Sequence, residues 1–95
     1  MMVKEKVKLK PSSNGLNEEA RLEDMFLILY NDEVNTFEFV IESLVDVCKH
    51  LPEQAEQCAL ITHLKGKCDV KKGSYNYLKL MKDSLISKGL SAVIE

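Results

Sequence analysis

The sequence predicts an α+β domain of order β-α-α-β-α-β, on three observations. Met25-Phe26-Leu27-Ile28-Leu29-Tyr30 is an apolar run of strand length. Three later segments place apolar residues at helical spacing, and Pro52 and Gly66 punctuate them. The stretch Lys67 to Lys72 alternates polar and apolar residues, and the chain turns β-prone again from Leu90. For that order in a chain of 95 residues, the compact solution is a three-stranded antiparallel sheet with three helices packed on one face. One core domain is expected over 24–95, preceded by a flexible N-terminal arm over 1–23.

The arm is Lys-rich at its start. It continues through Pro11-Ser12-Ser13-Asn14-Gly15 and offers few residues for burial. The first strand, nearly continuous in apolar character, suits a position with both faces partly shielded. The first helix is expected from about Thr36 to Lys49. Asn35 and Glu38 form a capping box at its start, and Val40, Ile41, Leu44, Val45, Val47, Cys48 and Leu51 form its apolar stripe. Glu38, Glu42 and Asp46, four apart, make an acidic solvated ridge. His50-Leu51-Pro52 breaks this helix and starts the next at Pro52, with Glu53 in the favourable first turn. The second helix buries Ala55, Cys58, Ala59 and Thr62 and stops at Gly66. Alternation from Lys67 to Lys72 marks a half-exposed strand whose lysines suit a sheet edge. Ser74 caps a third helix over about Tyr75 to Lys88, with Tyr77, Leu78, Met81, Leu85 and Ile86 on its buried side. Gly89 ends it, and Leu90 to Glu95 closes the sheet.

Composition narrows the function. A net charge of -2, with no basic stripe bearing aromatics, argues against nucleic acid. No apolar run is long enough to cross a membrane, and the start has no apolar core of a secretory signal. Three cysteines make an odd number, so a disulfide framework is not expected and the cytoplasm is the expected compartment. Cys48, His50, Cys58, His63 and Cys68 carry atoms that bind zinc, but none form the close pairs of structural zinc sites. Small buried hydrophobes explain the cysteines better, so neither a metal nor a cofactor is expected.

The stretch between the first strand and the first helix concentrates polar groups. Asn31, Asp32 and Glu33 sit in a loop held at both ends by regular structure, where function tends to gather. Such a loop also serves simply as an acidic turn that starts a helix. His63, near a helix C-terminus, likewise suits interaction with the last carbonyls.

Leu29-Tyr30-Asn31-Asp32-Glu33-Val34-Asn35-Thr36-Phe37-Glu38-Phe39-Val40 resembles L-x-N-D-D-x-T-P-M-E-F-V of the ClpS family, adaptors of the ATP-dependent Clp protease. The stretch Glu53 to Lys67, with His63-Leu64-Lys65-Gly66, is similar to that family's second helix, which ends in V-H-x-x-G. The closing strand from Leu90 extends the likeness over roughly residues 25 to 95. The resemblance implies the β-α-α-β-α-β fold and a non-enzymatic adaptor, monomeric and cytoplasmic. It implies binding of proteins that begin with Leu, Phe, Tyr or Trp and delivery to a Clp AAA+ unfoldase of ClpA or ClpC type. By position, Asn31, Asp32, Glu33 and His63 would hold the terminal amino group. Asn35, Phe37, Val40, Ala59, Thr62 and Leu90 would line the side-chain pocket.

An ammonium has three donors and needs acceptors gathered round one point. Amide oxygen, carboxylate and a neutral imidazole nitrogen qualify. This sequence departs from the family at Asn35-Thr36-Phe37 for Thr-Pro-Met, Glu33 for the second Asp, Ala59 for Met and Thr62 for Val. The segment before the last strand is also shorter, so no unfoldase-facing residues are carried over. Two alternatives stand beside the adaptor: a partner-binding or assembly domain of the same fold without the pocket, and, ranked last, a small metal-dependent enzyme built on Cys and His.

Overall fold

The computed structural model describes residues 25–95, and the arm expected over 1–23 lies outside them. Its elements run β1 (Met25–Tyr30), α1 (Phe37–Cys48), α2 (Pro52–Lys65), β2 (Lys67–Gly73), α3 (Tyr75–Ser87) and β3 (Ser91–Ile94). The sheet order is β2-β1-β3, with both pairings antiparallel. The most apolar strand is therefore central, and the lysine-rich β2 lies at an edge. Lysines along an edge discourage pairing with another chain.

Leu27 and Leu29 of β1 point to the helical side and are 0% and 1% exposed. They join Leu44 and Cys48 of α1, Ala55 of α2, Leu78, Met81 and Leu85 of α3, and Leu90 and Ala92 in one core. Each fully buried leucine contributes roughly 1.5–3 kcal/mol. The opposite sheet face is more open, although Ile28 is buried on it. Phe26 and Val93 remain partly exposed there, and the ammonium groups of Lys72 and Lys67 lie over the rings of Phe26 and Tyr30.

A bulge interrupts β2. Leu27 pairs with Lys71 but Ile28 pairs with Asp69, which leaves Val70 as the extra residue. Cys68 and Val70, two residues apart, are both buried on the core side. The Val70 carbonyl accepts from Nε2 of the buried His50 at 2.7 Å. A carbonyl only accepts, so the proton sits on Nε2. Lys71 Nζ donates to the Cys48 carbonyl at 2.8 Å, supplying a cation at the end of α1. The bulged strand is thus bound to the α1–α2 junction.

The helix boundaries follow the sequence with one correction at a cap. Thr36, not Asn35, is the N-cap of α1, and its hydroxyl accepts from the Phe39 amide at 3.0 Å. The capping box of Asn35 and Glu38 does not form because Asn35 lies one residue too early and its amide is engaged elsewhere. Lys49 ends α1 in the left-handed region at φ 60, so Leu51, expected on the α1 stripe, lies past the helix end and is 70% exposed. Pro52 opens α2 with no side-chain cap on Leu51, and Gly66, at φ 94, ends it. Ser74 caps α3. Tyr77 and Ile86, expected on the buried side of α3, are instead about half exposed at 46% and 48%. The contact stripe of α3 is only as wide as Leu78, Met81 and Leu85. Tyr77 instead lies over Gly73, where a Cβ would meet its ring at 2.8 Å.

Candidate functional site

The loop from Asn31 to Thr36 is built round Asp32. Its Oδ1 accepts from the amides of Val34 and Asn35, each at 2.9 Å. The Asn35 side-chain amide adds bonds of 3.2 Å to Oδ1 and 3.1 Å to Oδ2. Partial burial alone would raise the Asp32 pKa. The hydrogen bonds from the Asn35 backbone, the Val34 backbone and the Asn35 side chain outweigh it and hold the carboxyl below the ordinary carboxylate value. The acid therefore braces the turn.

Two contacts place this loop in the fold. The Asn31 amide donates to the Gly66 carbonyl at 2.9 Å, which sets the strand end against the end of α2. One turn before Gly66 lies His63, so that bond sets the helix end that carries His63 against the end of β1. Gly66 makes the turn possible, since its φ of 94 is one that side-chain-bearing residues rarely adopt. On the other side, Asn35 Nδ2 donates to the Gly89 carbonyl at 2.9 Å.

A cleft of about 440 Å³ opens between these parts. Asn31, Asp32, Glu33, Asn35, Phe37, Val40, Ala59, Thr62, His63 and Leu90 all line it. The structure thus gathers every site residue expected from sequence at one place. Asn31, Glu33 and His63 are exposed at the mouth, while Ala59, Thr62 and Leu90 are buried at 3%, 4% and 4%. Phe37 stands at the rim, 38% exposed. The Thr62 hydroxyl donates to the Cys58 carbonyl at 2.7 Å, so its proton serves the helix and not the cleft.

Leu29, Tyr30 and Leu60 also line the cleft and were not expected. Leu60 was legible in principle: it follows Ala59 and lies three residues before His63, hence on the same side of α2. Tyr30 extends its hydroxyl to Glu95 at 2.7 Å, and that bond is the chief reason its pKa is raised.

The cysteines lie apart from this cleft. Burial pushes the Cys48 thiol up to about 11 and the Cys68 thiol up to about 12, and it raises Cys58 as well. Protonated thiols are poor ligands and nucleophiles; Cys48 and Cys68 are buried, and Cys58 is half-buried. Among the described residues no three His, Cys, Asp or Glu side chains are grouped to hold a metal ion. No helix among them is long and apolar enough to cross a membrane.

Fold and cleft together define a small α+β domain with polar acceptors at the mouth of a pocket whose floor is apolar. Residues 21–92 match the family described as ATP-dependent Clp protease adaptor protein ClpS, and the chain belongs to that family. An ATP-dependent Clp protease adapter protein ClpS from Nitratidesulfovibrio vulgaris is 36% identical over 52 residues, covering 54% of this chain and 52% of the relative. The chain thus spans about half the length of that curated relative. Agrobacterium tumefaciens ClpS2, solved bound to L-phenylalaninamide, superposes with a TM-score of 0.68 at 21% identity. That match covers 79% of this chain and 98% of the other, and it is a likeness of fold.

Proposed function

We propose that the cleft grips the free amino terminus of proteins that begin with Leu, Phe, Tyr or Trp. The chain would act as a non-catalytic adaptor that delivers them to a Clp AAA+ unfoldase of ClpA or ClpC type. The observation that carries this reading is the meeting of Asn31, Glu33 and His63 at the mouth of a cleft floored by Ala59, Thr62 and Leu90. The three mouth residues offer an amide oxygen, a carboxylate and an imidazole nitrogen to an ammonium. Asp32 serves the amino group indirectly, by holding the loop in shape. The ligand in the related ClpS2 structure, L-phenylalaninamide, carries both a free α-amino group and a large apolar side chain, which supports the same pairing here.

Hydrogen bonds to a charged group contribute roughly 1.5–3 kcal/mol each, and burying a Leu- or Phe-sized side chain adds roughly 1.5–3 kcal/mol. Ordering and desolvation offset much of this, so affinity falls in roughly the micromolar range, weak enough to release cargo. The test is a fluorescence titration with a labelled peptide beginning with Phe, free or N-acetylated. The free peptide binds and the acetylated one does not. His63→Ala weakens binding while circular dichroism stays unchanged. Equal affinity for free and acetylated peptides would refute the reading.

A further inference from the structure

We propose that Asn35 is a positioning residue that latches the two walls of the cleft together and sets its width, an inference that rests on the amino-terminus reading above. One wall is the Asn31–Thr36 loop. The other is the turn that delivers Leu90 to the floor. Pairing of β1 with β3 extends only as far as Tyr30 and Ser91, so the ladder does not join the two walls beyond that point.

Asn35 spans the gap. Its side-chain nitrogen reaches the Asp32 carboxylate at 3.1–3.2 Å and the Gly89 carbonyl, 54 residues away, at 2.9 Å. An amide NH₂ has two donors held in one plane, one for each partner. Gly89 lies at φ 93, and its own amide donates to Ile86 at 2.9 Å, so the carbonyl that receives Asn35 has a set direction. The next residue, Leu90, is buried in the cleft floor, and its amide is bonded to Leu85 at 3.0 Å. A shift of the latch therefore moves the loop that presents the amino-group acceptors and the wall that receives the side chain.

Few residue types can do this. Asp has the same shape but no donor at neutral pH, and it would set a carboxylate against Asp32 and the Gly89 carbonyl. Ser and Thr have a single donor. Gln carries the amide one methylene further out.

The experiment measures the free Phe-led peptide, by fluorescence, against wild type, Asn35→Ala, Asp32→Ala, the double variant and Asn35→Asp. Asn35→Ala is expected to bind roughly tenfold more weakly, the scale of losing bonds to a charged partner. The double variant should be no weaker than the weaker single one, because both act through one unit. Asn35→Asp should bind more weakly than Asn35→Ala. Losses that multiply in the double variant would show that each residue meets the peptide independently and would overturn the latch, as would wild-type binding by Asn35→Ala. Amide hydrogen exchange on the protein without peptide provides a separate measure. Asn35→Ala should speed exchange at Gly89 and Leu90 and leave α1 unchanged, and unaltered exchange there overturns the latch. If wild type does not distinguish free from acetylated peptide, the amino-terminus reading fails, and exchange alone then decides the latch.

Discussion

At the scale of single residues, the site depends on which polar groups are already occupied and which are left free for a guest. Asp32 is occupied: its carboxylate binds Val34 and Asn35. Because its pKa is lowered in the folded protein, it stabilises the fold at pH values above the unfolded carboxylate's ~3.9 and loses that contribution as pH falls through the folded value. Asp32→Ala should therefore lower Tm at neutral pH, and the gap from wild type should close in acid. A gap that stays constant from neutral pH to below ~3 would show that the hydrogen bonds do not favour the charged form. Ala59 makes the complementary point about volume. It is 3% exposed at the floor, and Ala59→Met would fill part of the cleft. Affinity for a Trp-led peptide should fall by about tenfold, roughly one lost apolar contact's worth, and a Leu-led peptide should lose less. Equal losses would mean that Ala59 does not set the depth.

At the scale of elements, the ends of helices matter more than their middles. The end of α2 holds His63 and receives the Asn31 amide, and both depend on Gly66 at φ 94. A Cβ at that position would meet nothing within 4 Å. Gly66→Ala should therefore destabilise through backbone strain alone, by about 1–2 kcal/mol. The urea midpoint should drop with an unchanged slope, and an unshifted midpoint would contradict this account. The start of α1 shows why a cap is hard to read from sequence. Asn35 and Thr36 are both good N-caps by type. The choice fell to Thr36 because Asn35 is drawn away by Asp32 and by Gly89, a partner 54 residues distant that no local pattern contains. Tyr77 fits a buried face by helical spacing, yet it packs over Gly73, four residues before it, and stays half exposed.

At the scale of the whole molecule, the sheet puts its open face on one side and its helices on the other, and the cleft lies where the end of β1, the start of α1, the end of α2 and the start of β3 converge. A cleft at that meeting point favours the adaptor reading over an assembly domain without a pocket. In a reconstituted reaction with a Clp unfoldase and its peptidase, a Phe-led reporter protein should be degraded faster when this chain is added, and an N-acetylated reporter should not. No acceleration with either ClpA or ClpC would remove the delivery role. The element order was legible because apolar period, proline, glycine and capping residues act over a few positions. The residues of the cleft were legible through the paired motifs round Asn31 and His63. Only the tertiary structure could decide the bulge at Val70 and the reach of Asn35 to Gly89. Local signals set by backbone geometry are written into neighbouring residues, whereas a hydrogen bond across the fold depends on where distant segments come to rest.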